Sequence, residues 1–295
     1  MSIIEQAAKR LEQLRGAGVE VPWQDGVRPT APSTRSPSAA PLGAVSGSPS
    51  QKLAAPVSSR QVHLDLNKLA QSNLLVPNHA SFALERDFRV IKQRLLANAV
   101  GPSRIPRGNL ILVTSALPAE GKTFCSINLA LSMAAEIDKT VLLVDADVAQ
   151  PALPTRLGIE PSEGLLDILS NPEIQLPDVM VRTNIPKLAL LQSGAPRTNS
   201  AELLASGEMS RLLDEVADRY ADRLVVIDAP PLLATIDARI LARLAGQVVM
   251  VVQAGRTRQD EVKEAFAMVE KCSVVMSVLN RRPAKLGLYR GGYGY

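Results

Sequence analysis

One short stretch of this chain has the residue types that hold phosphate. Thr114-Ser115-Ala116-Leu117-Pro118-Ala119-Glu120-Gly121-Lys122-Thr123 runs from an apolar segment into a helical pattern. In such a turn the backbone N–H groups can wrap phosphate oxygens, a lysine offsets the β/γ charge, and a hydroxyl reaches Mg²⁺. The N-terminus of the next helix adds partial positive charge. The residues placed for nucleotide contact are Ala116, Pro118, Ala119, Glu120, Gly121, Lys122, Thr123 and Phe124, with Lys122 expected to face solvent from its loop. A bare Gly-Lys-Thr arises often by chance. Its position between an apolar run and a helix is what gives it weight.

Three carboxylates complete a chemistry of this kind. Asp145 and Asp147 end one apolar run, and Asp228, followed by Ala229-Pro230-Pro231, ends another. Ligands of open parallel sheets sit beyond the carboxyl ends of the strands, so these residues and the phosphate loop should share one edge. Mg²⁺ prefers such hard oxygen donors, directly or through water. Each aspartate alone could be a helix cap or turn former; three beside a phosphate loop are better explained by a site. A further cluster is Tyr289, Tyr293 and Tyr295, three of the chain's four tyrosines, interleaved with Gly291, Gly292 and Gly294. In a chain with only 3% aromatic residues that concentration stands out.

The elements that must position these residues follow from hydrophobic patterning. Apolar runs at Leu110–Val113, Val141–Val144, Leu188–Leu191, Leu224–Ile227, Val248–Val252 and Val274–Leu279 are continuous rather than alternating. Such runs suit strands buried on both faces. Helical patterns lie between them, such as Phe124, Ile127, Leu131 and Ala134, or Val262, Ala265, Met268 and Val269. The expectation is an α/β fold of the P-loop NTPase type, a mostly parallel sheet with helices on both faces. Ahead of the first strand, Phe88, Ile91 and Leu95 mark a further helical stripe.

The 295 residues divide unevenly. Residues 1–21 carry an amphipathic helix with Ile4, Ala7, Leu11 and Leu14 on one side, which either folds back on the main domain or docks a partner. Residues 22–60 hold seven of the 21 prolines and few large apolar residues, the composition of a flexible linker. Residues 61–282 form the main domain, and residues 283–295 a tail rich in tyrosine and glycine.

Composition excludes several classes. The net charge of +4 comes without a dominant basic block, which argues against nucleic acid as a partner. Two cysteines, Cys125 and Cys272, lie far apart without metal-ligand spacing, as in a reducing compartment. No apolar stretch approaches the roughly 18–20 residues needed to cross a bilayer, and the first residues lack a secretory signal, so a cytoplasmic location is expected.

Taken together these motifs resemble the bacterial tyrosine kinases, a P-loop family, over roughly residues 61 to 295. Thr114 to Thr123 is similar to that family's Walker A motif, Val144 to Asp147 to its Walker A′, and Val226 to Pro231 to its Walker B. The terminal tyrosines resemble its autophosphorylated cluster. The arrangement looks closest to the exosortase-associated autokinases of exopolysaccharide loci. The resemblance implies ATP and Mg²⁺, with Lys122 on the β/γ-phosphates and Thr123, Asp147 and Asp228 at the metal. It makes Asp145 the acceptor of the tyrosine proton, completing the catalytic set Lys122, Asp145, Asp147 and Asp228. It implies phosphorylation at Tyr289, Tyr293 and Tyr295, transfer between subunits of a homo-oligomer, an opposing tyrosine phosphatase, and recruitment to the inner membrane face by a membrane-embedded co-polymerase or chain-length protein. Departures are Ala149 in place of the family's usual arginine, and Arg86-Asp87-Phe88-Arg89-Val90-Ile91-Lys92 in place of Glu-x-x-Arg-x-x-Arg.

Two other readings of the same residues are a positioning ATPase of the partition and Min type and a non-catalytic nucleotide-dependent scaffold. The former carry a second lysine where this chain has Leu117. Among the remaining residues, His63 and His79 show no partner pattern. Cys125 reads as packing or as a modifiable thiol near the nucleotide, and Asn280 as a turn former or an adenine contact.

Overall fold

A computed structural model describes residues 60–78, 81–219 and 223–282. The expected amphipathic helix at 1–21, nearly all of the expected linker, His79 and the tyrosine-rich residues 283–295 lie outside the described residues. The elements run β1 (Gln61–Val62), α1 (Leu66–Gln71), α2 (Phe82–Ala99), β2 (Leu110–Ser115), α3 (Lys122–Ala134) and β3 (Thr140–Asp145). Then come α4 (Leu153–Leu157), α5 (Leu165–Ser170), α6 (Leu176–Val179), β4 (Val181–Thr183), β5 (Leu188–Leu191), α7 (Ser200–Leu204) and α8 (Gly207–Arg219). The last are β6 (Arg223–Asp228), α9 (Ile236–Leu244), β7 (Gln247–Gln253), α10 (Gln259–Met268) and β8 (Val274–Asn280).

The strands form one eight-stranded sheet in the order β1-β4-β5-β3-β6-β2-β7-β8. Every pairing is parallel except β4 with β5. Each apolar run read from the sequence is a strand. The continuous hydrophobicity has the expected cause. Ile111, Val113, Val141, Leu143, Leu224 and Val226 pack into one core with residues of α1, α2 and α3. Their neighbours Leu110, Leu112, Leu142, Val144, Val225 and Ile227 pack into the opposite core with α5, α8, α9 and α10. Burying such a side chain contributes about 1.5–3 kcal/mol, which selects apolar residues at consecutive positions.

The stripe on α2 differs in one place. Its buried positions are Phe88, Lys92, Leu95 and Ala99, while Ile91 is only half-buried. Lys92 is tolerated there because its ammonium reaches the Ser132 carbonyl (3.0 Å) and Glu136 Oε1 (2.5 Å) at the C-terminal end of α3. A cation in that position also complements the negative end of the helix dipole.

Candidate functional site

Parallel pairing brings the carboxyl ends of β2, β3 and β6 together, and the phosphate loop springs from β2, beside the central β6. β6 lies between β3 and β2, with Asp145 directly opposite Asp228 across the β3–β6 pair. The loop after β2 is pinned to its neighbour by the Thr114 hydroxyl, which donates to the Pro230 carbonyl at 2.7 Å. The Leu232 N–H donates to the Ser115 carbonyl at 2.8 Å. Ala119 and Gly121 adopt left-handed backbone angles, with φ of 67° and 98°. Gly121 is required: a Cβ there would lie 2.2 Å from Asn280 Nδ2. It also caps α3, whose first residues are Lys122 and Thr123.

Lys122 departs from the expectation of a solvent-facing side chain. Its ammonium is mostly buried and pairs with Asp147 Oδ2 at 2.5 Å. The reason is local: α3 starts at Lys122, so its side chain runs back over the loop towards the end of β3. Asp145 and Asp228 are fully buried. Asp145 accepts from the backbone N–H of Asp147 (3.3 Å) and of Leu153 (3.1 Å). Burial, and then the neighbouring Asp228, push its carboxyl up to about 7. Asp228 is raised by burial to about 6, opposed first by Lys122 and then by hydrogen bonds from Thr123 and Ser126. The Ser126 hydroxyl donates to Asp228 Oδ1 at 3.0 Å, a contact the sequence reading missed.

Asp228 Oδ2 is buried with no hydrogen-bond partner among the described residues. An orphaned carboxylate oxygen beside Thr123 and near Lys122 and Asp147 is the donor set a hard divalent cation takes. No group of three His, Cys, Asp or Glu side chains poised for a metal occurs among the described residues. Mg²⁺ at phosphate sites relies on one or two carboxylates, a hydroxyl, water and the phosphates themselves, so the residues fit.

The mouth of the site is a cavity of about 110 Å³ bounded by Pro118, Ala119, Lys122, Asp147, Pro231 and Thr235, among others. That is too small for a nucleotide, and the Lys122–Asp147 pair spans it. A larger cavity of about 690 Å³ lies at the far end of α3, lined by Glu85, Arg89 and Lys92 among others, and contains none of the phosphate-loop or aspartate residues. Asp147 reaches the mouth, whereas Asp145 lies beneath it. Beyond the rim, Asp237 is raised by partial burial, then by Glu202 and Asp147, which marks an acidic approach.

The other expected nucleotide contacts separate into two kinds. Ala116 is fully buried and so offers backbone only, while Phe124 packs partly into the core. Glu120 turns its carboxylate inward, away from the mouth. Asn280 does reach the loop, donating from Nδ2 to the Glu120 carbonyl at 2.8 Å. Cys125 is buried and its thiol is pushed up to about 12 by burial and by Asp228, which makes it packing rather than a reactive group. His63 lies 3.5 Å from Asn184 Nδ2 and takes no part.

Comparison with known proteins agrees with this geometry. A family described as an AAA domain matches residues 111–277, more than half of the chain. EpsB of Ralstonia nicotianae is 36% identical over 186 residues, covering 63% of this chain but only 24% of that protein, so the chain spans about a quarter of that relative's length. The tyrosine-protein kinase YwqD of Bacillus subtilis is 32% identical over 186 residues, covering 62% of this chain and 77% of the relative. The kinase domain of the Escherichia coli tyrosine kinase ETK superposes with a TM-score of 0.59 at 28% identity, over 75% of this chain and 83% of that domain. A nucleotide-type loop, edge aspartates on a parallel sheet, and these relatives lead to one conclusion: the chain belongs to the bacterial tyrosine-protein kinase family.

Proposed function

We propose that this chain is an ATP-dependent protein-tyrosine autokinase. The observation that carries the reading is the meeting of Lys122, Thr123, Asp147 and Asp228 at the carboxyl ends of three neighbouring strands. Lys122 would leave Asp147 for the β/γ-phosphates, and Thr123, Asp147 and Asp228 would hold Mg²⁺. When bound, that ion neutralises charge on the transferred phosphoryl group. The tyrosine oxygen then bonds to the γ-phosphorus as the bond to the β,γ-bridging oxygen breaks, ADP leaves, and the phenolic proton passes to a carboxylate. Asp145, raised to about 7, has the better-matched affinity for that proton, while Asp147 has the access.

The acceptors are proposed to be Tyr289, Tyr293 and Tyr295. Arg281, Arg282, Lys285 and Arg290 make that segment basic, which suits the acidic approach formed by Glu202 and Asp237. Transfer between subunits of a homo-oligomer is the expected route, with a tyrosine phosphatase opposing it. Each phosphate adds up to about −2 charge, which would repel the tail from an acidic site and loosen the assembly. The family resemblance supports a role in exopolysaccharide polymerisation or export, with recruitment to the inner membrane face by a membrane-embedded co-polymerase. No described helix is long and apolar enough to cross a membrane.

The test mixes a Lys122→Ala chain with one whose three terminal tyrosines are phenylalanine, and adds ATP and Mg²⁺. Phosphotyrosine on the Lys122→Ala chain is expected, with an initial rate per molecule that rises with concentration. A folded wild-type chain that forms no phosphotyrosine would overturn the kinase reading.

A further inference from the structure

Glu120 is a carboxylate inside a loop whose task is to receive an anion. Pointed outward it would repel the ligand; it is instead almost completely buried. Its Oε2 accepts from the Leu117 N–H at 2.6 Å, which closes the loop on itself. Its Oε1 accepts from the Gln253 N–H at 3.1 Å, at the end of β7, and from the Thr257 hydroxyl in the turn that follows. Its backbone carbonyl accepts from Asn280 at the end of β8. Two segments distant in sequence therefore converge on a single loop residue.

We propose that Glu120 is a positioning residue, whose carboxylate, clasped by Leu117, Gln253 and Thr257, holds the phosphate loop in its ligand-ready shape before nucleotide arrives. The inference rests on the nucleotide-binding reading above. Glu120 lies between Ala119 and Gly121, both left-handed, and alanine adopts that conformation only when its surroundings impose it. A loop released from the clasp spends part of its time in other shapes. Observed affinity then falls by the fraction of molecules in the competent shape. The loop carries no large core side chain beyond Leu117, so this restraint acts on ligand geometry more than on global folding.

Thr257 gives the cleanest test, because it contacts the carboxylate and lies outside the phosphate loop. In the full chain, ADP binding with Mg²⁺ is titrated calorimetrically, and thermal unfolding is followed in parallel. Thr257→Val, which removes the hydroxyl and keeps the shape, is expected to raise the ADP Kd about tenfold at unchanged stoichiometry. Thr257→Ser restores the hydroxyl and the wild-type Kd. Glu120→Gln replaces an acceptor with a donor and should weaken binding at least as much as Thr257→Val. A purely structural role predicts a lower Tm and fewer competent sites with Kd unchanged. Wild-type Kd in folded Thr257→Val overturns the clasp alone, whereas a wild-type chain that binds no ADP overturns the nucleotide reading itself.

Discussion

Lys122 Nζ and Asp147 Oδ2 stand 2.5 Å apart in a mostly buried ion pair, so the lysine meant for phosphate is held by a carboxylate of the chain itself. Phosphate and Asp147 compete for the same cation. Removing the lysine leaves Asp147 buried beside Asp145 and Asp228 without its counter-charge. Breaking a buried pair in this way is strongly destabilising. Lys122→Ala is therefore expected to lose phosphorylation and also up to about 3 kcal/mol of stability. Chemical denaturation and a phosphotyrosine assay on the same preparation check both; an unchanged denaturation midpoint would refute the pairing.

Acid–base titration of the site should be visible in stability. Asp145 and Asp228 titrate at about 7 and about 6 in the folded chain, mainly because they are buried. In the unfolded chain they titrate near about 3.9. The folded state thus binds their protons more tightly, and this contribution to stability is lost as pH rises from about 4 through about 7. Asp228→Asn removes the cost and relieves Asp145. Its apo Tm is expected to exceed the wild type's at pH 8, with the difference shrinking towards pH 5. A variant less stable than wild type at pH 8 would contradict the assignment.

Asp145→Asn and Asp147→Asn separate the two carboxylates near the acceptor. An amide at 145 keeps size but takes no proton, so turnover should fall by about 100-fold or more while ADP affinity changes little. An amide at 147 frees Lys122 from its partner. ADP affinity without Mg²⁺ should then equal or exceed the wild type's, with turnover lost. Equal falls in rate and affinity for Asp145→Asn would reassign it to ground-state metal binding.

Far from the chemistry, Lys92→Met tests the buried cation of α2. Methionine fills the channel but leaves the Ser132 carbonyl unpaired, while Glu136 is exposed enough to be solvated. A loss of about 1–2 kcal/mol is expected, with ADP binding unchanged. A gain in stability would show that dehydrating the ammonium outweighs its hydrogen bonds.

Much of this arrangement is legible in the residues alone, and the gaps have physical causes. Six strands announce themselves because two-sided burial demands unbroken apolar runs. β1 and β4, of two and three residues, are too short to carry a pattern, and the antiparallel β4–β5 pair is fixed by tertiary contact. The motif aspartates point to one edge, yet the facing of Asp145 and Asp228 depends on β6 lying beside β3, which strand order decides. Lys92 hides within an expected apolar stripe because its partners are 40 and 44 residues away in sequence. For Glu120 a signal was present: an acidic residue in an anion-binding turn has to face elsewhere.

The insertion of β6 between β2 and β3 has a consequence for synthesis on the ribosome. β2 and β3 emerge first, but neither can pair with the strand that joins them until residue 228 has been made. Leu117, Lys122 and Asp147 emerge before that point, and Gln253, Thr257 and Asn280 only after it. The contacts of Gln253, Thr257 and Asn280 with Glu120 can therefore be complete only after residue 280 has been made, so the phosphate loop is the last part of the site to be fastened.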